Sequence, residues 1–145
     1  MKKLIQTIDF IEDFMRWATK RKDIRAAALV GSYAREELEK DSDVDLVIIT
    51  ETPQRYITNT EWTRVFGKPI TKKIEKYDTL TSLRIWYESG LEIEYGFATR
   101  DWIQNVSENE LKQITNDGLR VLFEKEKLLS PYETPARKNA KDQDS

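Results

Sequence analysis

The sequence predicts an α/β (α+β) fold, a mixed, twisted β-sheet flanked by α-helices. Three observations predict it. The chain opens on a helical apolar stripe, with Leu4, Ile8, Ile11, Met15 and Ala18 spaced along one face. Two short apolar runs, from Arg25 to Val30 and from Val44 to Thr50, have the length of buried strands, and the second is rich in β-branched residues. Two further runs flank Ser89-Gly90 as the arms of a hairpin.

Residues 3–20 form the first expected helix, closed by Lys20, Arg21 and Lys22, whose charge suits a helix C-terminus. The first strand ends at Gly31. Ser32 to Glu39 reads as a helix of one to two turns, followed by a turn at Asp41-Ser42. After the second strand, residues 51–70 hold Pro53 and Pro69 and read mostly as loop. A short helix in that loop, capped by Asn59 or Thr60, carries Trp62 and Phe66. The hairpin pairs residues 80–88 with 91–98. Thr99 to Val106 reads as a helix. Ser107 and Glu110 form a capping box that opens another, ending near Gly118. Leu119 to Glu124 reads as a last strand.

The 145 residues suit one domain, expected over residues 1–129. Residues 130–145 are polar, contain two prolines and read as a disordered tail. With 24 basic and 26 acidic residues the net charge is −2, which lacks the basic excess of a bulk nucleic-acid binder. Asp9, Glu12 and Asp13 interrupt the N-terminal apolar pattern, so no signal peptide or membrane span is expected there. The expected location is the cytoplasm.

Cysteine and histidine are both absent. That excludes disulfides, thiol nucleophiles and histidine acid–base chemistry, and it disfavours a zinc site. Oxygen ligands remain, and they select hard cations such as Mg2+, or Mn2+.

The informative segment is Gly31-Ser32, ten intervening residues, then Asp43-Val44-Asp45. Residues i and i+2 of a strand share a face, so Asp43 and Asp45 project together. Two adjacent carboxylates repel one another, and a divalent cation relieves that repulsion. Gly31 and Ser32 stand where a strand turns into a helix, and backbone amides at such a corner favour an anion. An isolated Asp-x-Asp is commonly a solvated turn; its place between buried strands and after a Gly-Ser gives the metal reading. Arg35 has two readings, a phosphate contact or a pair with Glu39 one turn on. A third acid is available from the hairpin, where Glu92 and Glu94 share a face. Trp62, Phe66 and Trp86 read as core rather than base-stacking residues. Lys68, Lys72, Lys73 and Lys76 read as a solvated face.

The stretch from Leu29 to Ile49, LVGSYAREELEKDSDVDLVII, resembles the signature of the nucleotidyltransferase superfamily, the DNA polymerase beta-like proteins. Trp62…Phe66-Gly67 and Gly90-Leu91-Glu92-Ile93-Glu94 resemble aminoglycoside 6-adenylyltransferases, in the same order along the chain. The resemblance covers residues 25–98 and is specific over 31–46. It implies the nucleotidyltransferase fold, with Gly31, Ser32 and Arg35 binding the triphosphate. It also implies that Asp43, Asp45 and Glu94 hold Mg2+, with Glu94 chosen over Glu92 by alignment through Gly90 and Ile93. The implied reaction moves AMP from ATP, or another nucleoside monophosphate, to a hydroxyl of a small-molecule or protein acceptor. The chain is also similar to minimal MNT-type nucleotidyltransferases that act as antitoxins, which implies a HEPN-like partner modified on tyrosine. A nucleotide-binding module without turnover is the reading from another class. Glu36 departs from the glycine common after Ala-Arg in the family.

Overall fold

The computed structural model describes residues 2–31, 44–77, 80–107, 109 and 118–133. Helix α1 (Lys2–Thr19) leads into strand β1 (Ile24–Val30). Strand β2 (Val44–Thr50) is followed by helix α2 (Pro53–Thr58), a 3-10 helix at Glu61–Phe66 and strand β3 (Pro69–Tyr77). Strands β4 (Leu80–Tyr87) and β5 (Glu92–Ala98) form the expected hairpin. Helix α3 (Arg100–Asn105) and strand β6 (Leu119–Glu124) follow, and a 3-10 turn at Ser130–Tyr132 ends the described chain. The expected helices at residues 32–39 and 107–118 fall largely outside the described residues.

The strands form one mixed sheet in the order β3-β4-β5-β2-β1-β6. Its one parallel pair among the described residues is β2 with β5; the other neighbours are antiparallel. A parallel pair needs a long crossover, and here β3 and β4 lie within it.

Alternation along the strands makes two cores. Leu46, Ile48, Leu83, Ile85, Ile93, Tyr95 and Phe97 face α1 and meet Phe10, Phe14 and Ala18. This side is aromatic: Phe10 and Phe66 are edge to face at 5.3 Å, and Trp62 is edge to face with Tyr95 at 4.7 Å. Such pairs add about 0.5–1.5 kcal/mol each beyond the area they bury. The Tyr87 hydroxyl donates to the Thr63 carbonyl at 2.8 Å and lies 2.8 Å from the Tyr95 hydroxyl. A hydroxyl has one proton, so Tyr95 is the donor to Tyr87. Burial pushes the Tyr87 phenol up to about 12, despite those hydrogen bonds.

On the other face Ala26, Ala28, Val47, Ile49 and Ala98 pack against Trp102 and Ile103 of α3 and against Leu119, Leu128 and Leu129. Gly96 lies on this face, and a Cβ there would stand 2.9 Å from the Leu46 carbonyl oxygen, so close strand contact requires glycine.

Strand β3 occupies a region expected to be loop in its first part and a solvated lysine face beyond. It is an edge strand with Ile70 and Ile74 exposed and Lys72, Lys73 and Lys76 among them, so no buried face marks it in the sequence. At the far end, the Glu124 carboxylate accepts from the amides of Leu128, Leu129 and Ser130, and that of Glu133 accepts from the amide of Val121. Residues 130–133 are thereby tied to β6, and 134–145 lie outside the described residues. No described helix is long and apolar enough to cross a membrane.

Candidate functional site

Asp45 is the second residue of β2, half-buried between Val44 and Leu46, with Oδ1 withdrawn from solvent. Its neighbours across the sheet are Val30 on β1 and Glu94 on β5. Glu94 in turn faces Arg84 on β4, which faces Lys73 on β3. One transverse row therefore reads Val30, Asp45, Glu94, Arg84, Lys73. Residues in register share a sheet face, with Cβ atoms about 4.5–5.5 Å apart in antiparallel pairs. Glu94, not Glu92, is the glutamate level with Asp45.

Gly31 follows β1 beside Asp45, with φ 84°. That left-handed backbone favours glycine. A Cβ at Gly31 would come within 3.3 Å of Asp45 Oδ2, so glycine also keeps space at the carboxylate. The Gly31 amide donates to the Gly118 carbonyl at 3.3 Å. What Gly31 offers an anion is thus shape rather than its own donor. Ser32, Arg35 and Asp43 lie outside the described residues.

Sequence reasoning did not single out Arg84. It is half-buried, 22% exposed in its side chain, and its guanidinium forks between two carboxylates. Nη2 donates to Glu94 Oε1 at 3.0 Å, and Nη1 donates to Glu92 Oε2. The signal was present in the hairpin: the Ser89-Gly90 turn pairs Trp86 with Glu92, Ile85 with Ile93 and Arg84 with Glu94. Trp86 differs from expectation as well. Trp62 and Phe66 pack on the α1-side core, whereas among the described residues Trp86 is in neither core cluster. It alternates onto the face of Arg84, whose guanidinium carbon lies 5.9 Å from the ring centroid.

Among the described residues no three acids converge into a complete metal cage. The donors present still fit a hard cation in kind. Asp45 and Glu94 are oxygen donors on adjacent strands, and glycine guards the space beside one of them. Asp45 and Glu94 are the described members of the expected ligand set.

A family model described as streptomycin adenylyltransferase matches residues 5–144. Among solved structures, an aminoglycoside 6-adenyltransferase from Bacillus subtilis aligns with a TM-score of 0.57 at 16% identity, covering 94% of this chain and 43% of that one. This is a likeness of fold, and the present chain spans less than half the length of that enzyme. The apo form of a CCA-adding enzyme aligns with a TM-score of 0.42 at 16% identity, over 79% of this chain and 24% of that one. A search of curated proteins gives no match. The six-stranded mixed sheet with few helices is a nucleotidyltransferase-like fold, as the resemblance implied.

Proposed function

The chain belongs to the streptomycin adenylyltransferase family, and on that premise we propose that it transfers AMP from ATP to a hydroxyl of a small-molecule acceptor. Asp43, Asp45 and Glu94 are the proposed ligands of Mg2+, with Mn2+ as a substitute. Gly31, Ser32 and Arg35 are the proposed triphosphate side. The observation that carries this reading is the parallel register of Asp45 with Glu94, next to a glycine that leaves room at the carboxylate.

The acceptor oxygen attacks the α-phosphorus of ATP and forms the new P–O bond. The bond from that phosphorus to the bridging oxygen breaks, and pyrophosphate leaves. In a chain without histidine, a carboxylate takes the acceptor proton, and Glu94 or Glu92 is the group assigned. When bound, the divalent ion neutralises phosphate charge and polarises the transferring group. The chain's own residues supply its oxygen ligands and orient the triphosphate. The family's name supports an aminoglycoside acceptor. Transfer to a protein hydroxyl, on a HEPN-like partner for instance, is the other outcome of the test. The reaction is read as cytoplasmic, where ATP is supplied.

Calorimetry with ATP and Mg2+, followed by pyrophosphate release across a panel of aminoglycosides, tests the reading. Asp45→Asn is expected to weaken metal-dependent ATP binding by more than the roughly 10–100-fold lost with an outer-shell partner, with an unchanged circular dichroism spectrum. Equal binding by the variant would remove the assigned site. Binding without turnover on any acceptor would leave a nucleotide-binding module.

A further inference from the structure

Resting on the reading of Asp45 and Glu94 as cation ligands, we infer that Arg84 is a positioning residue that stands in for the cation in the metal-free protein. Its guanidinium binds Glu94 and Glu92 together, yields Glu94 when a divalent ion arrives, and stays anchored on Glu92.

The geometry carries this. Glu92 and Glu94 are i and i+2 on β5 and share a face, and Glu94 has Asp45 beside it on β2. Like charges on one half-buried face repel each other unless a positive charge stands beside them. For Glu92 and Glu94, Arg84 is that charge. Its two terminal nitrogens go to different acids, one to Glu94 at 3.0 Å and one to Glu92. The side chains of Arg84, Glu92 and Glu94 are 22%, 24% and 22% exposed, so solvent screens the group only in part.

The divided fork has a consequence. Were both nitrogens on Glu94, releasing it would leave the guanidinium unanchored. With one on each acid, loss of the Glu94 bond leaves the Glu92 bond intact. Trp86, two residues along β4 on the same face, flanks the guanidinium at 5.9 Å and limits where it moves. Arginine suits the task because its charge does not titrate away and its planar fork spans two acceptors. A dication bound at Glu94 competes for the same carboxylate and is repelled by the nearby guanidinium. Arg84 therefore weakens binding of the ion alone and holds Glu94 ready for it.

The test is Mn2+ titration of the nucleotide-free protein, followed by electron paramagnetic resonance of the unbound ion. Arg84→Met and Arg84→Gln are expected to bind Mn2+ about tenfold tighter than the wild type, because the competing charge is gone. Arg84→Lys restores the charge and is expected to return the affinity to within about threefold of the wild type. A purely structural arginine would give equal or weaker binding in all three variants, and that result overturns the inference. Arg84→Gln serves if Arg84→Met does not fold. Asp45→Asn separates the two failures. If it abolishes Mn2+ binding while the Arg84 variants bind as the wild type does, only the role of Arg84 falls. If it leaves Mn2+ binding unchanged, or neither the wild type nor the Arg84 variants bind Mn2+, the acid pair falls as a site and this inference falls with it.

Discussion

Asp23 and Asp45 stand near opposite ends of the antiparallel β1–β2 pair, and their surroundings differ in kind. Asp23 precedes β1, and its Oδ2 accepts from three hydroxyls: Tyr56 at 2.7 Å, Thr52 at 3.0 Å and Thr50 at 3.3 Å. Arg55 lies 3.8 Å from the same oxygen. Arg21 donates to the Tyr56 hydroxyl at 3.0 Å and lies over the Trp17 ring, which ties the cluster to α1. Burial alone would raise the Asp23 carboxyl, but the hydrogen bonds from Tyr56 and Thr52 outweigh it and hold the group below its ordinary value. Its charge is used up by its neighbours.

At Asp45 one in-register neighbour is another acid and the other is Val30, and a glycine keeps the adjoining space open. Donor hydroxyls surround the Asp23 carboxylate, whereas an acid stands in register with Asp45, the arrangement expected where a cation is to be held. The two aspartates thus differ in what surrounds each, and the proposed cation role falls to Asp45.

Three substitutions sharpen or break that contrast. The largest effect on folding is expected from Asp23→Ala, about 2–3 kcal/mol in urea unfolding at pH 7, since it strips several donors of a charged acceptor. Asp23 has a folded-state pKa below that of the unfolded chain. Its contribution is therefore complete above about pH 4 and is lost as pH falls through the folded value. The gap between wild type and variant should narrow below pH 4, and a gap that is flat with pH would show that the charge is not what Asp23 contributes. ATP binding by the folded variant should be unaffected, and a loss there would erase the distinction.

Gly31→Ala comes next, at about 1–2 kcal/mol for a side chain in left-handed backbone. Its methyl group would stand 3.3 Å from Asp45 Oδ2, so weaker Mg2+-dependent ATP binding should accompany the lost stability. Full binding in calorimetry would mean that the space at the carboxylate has no function. The smallest effect belongs to Tyr56→Phe, about 1 kcal/mol, from the hydroxyl between Arg21 and Asp23. A thermal midpoint equal to that of the wild type would show that the two threonines and Arg55 satisfy Asp23 without it.

Local pattern alone made much of the molecule legible. Helix α1, the strands β1 and β2, the β4–β5 hairpin and the last strand follow from spacing over a few residues, and so does the shared face of Glu92 and Glu94. The stripe expected on α1 is not the face it buries, however: Ile8 is exposed, whereas Phe10 and Phe14 are buried with Ala18. Strand β3 was not legible, because an edge strand with exposed Ile70 and Ile74 buries no face that would mark it. Trp86 was misread for a related reason. A large aromatic suggests core, but its alternation with Leu83, Ile85 and Tyr87 turns it to the other side of the sheet.

By itself, the sequence limited the chemistry available, since a chain without cysteine or histidine leaves mainly carboxylates and oxygen-seeking cations. Only the tertiary structure decided which carboxylates come into register. Asp45 and Glu94 are joined by the parallel pairing of β2 with β5, and Asp23 meets Tyr56 through the docking of α2 near the β1–β2 end. Local spacing fixes the face a side chain takes along its own strand. The choice of neighbouring strand depends on how the whole sheet buries its apolar sides, and no short stretch of chain contains that information.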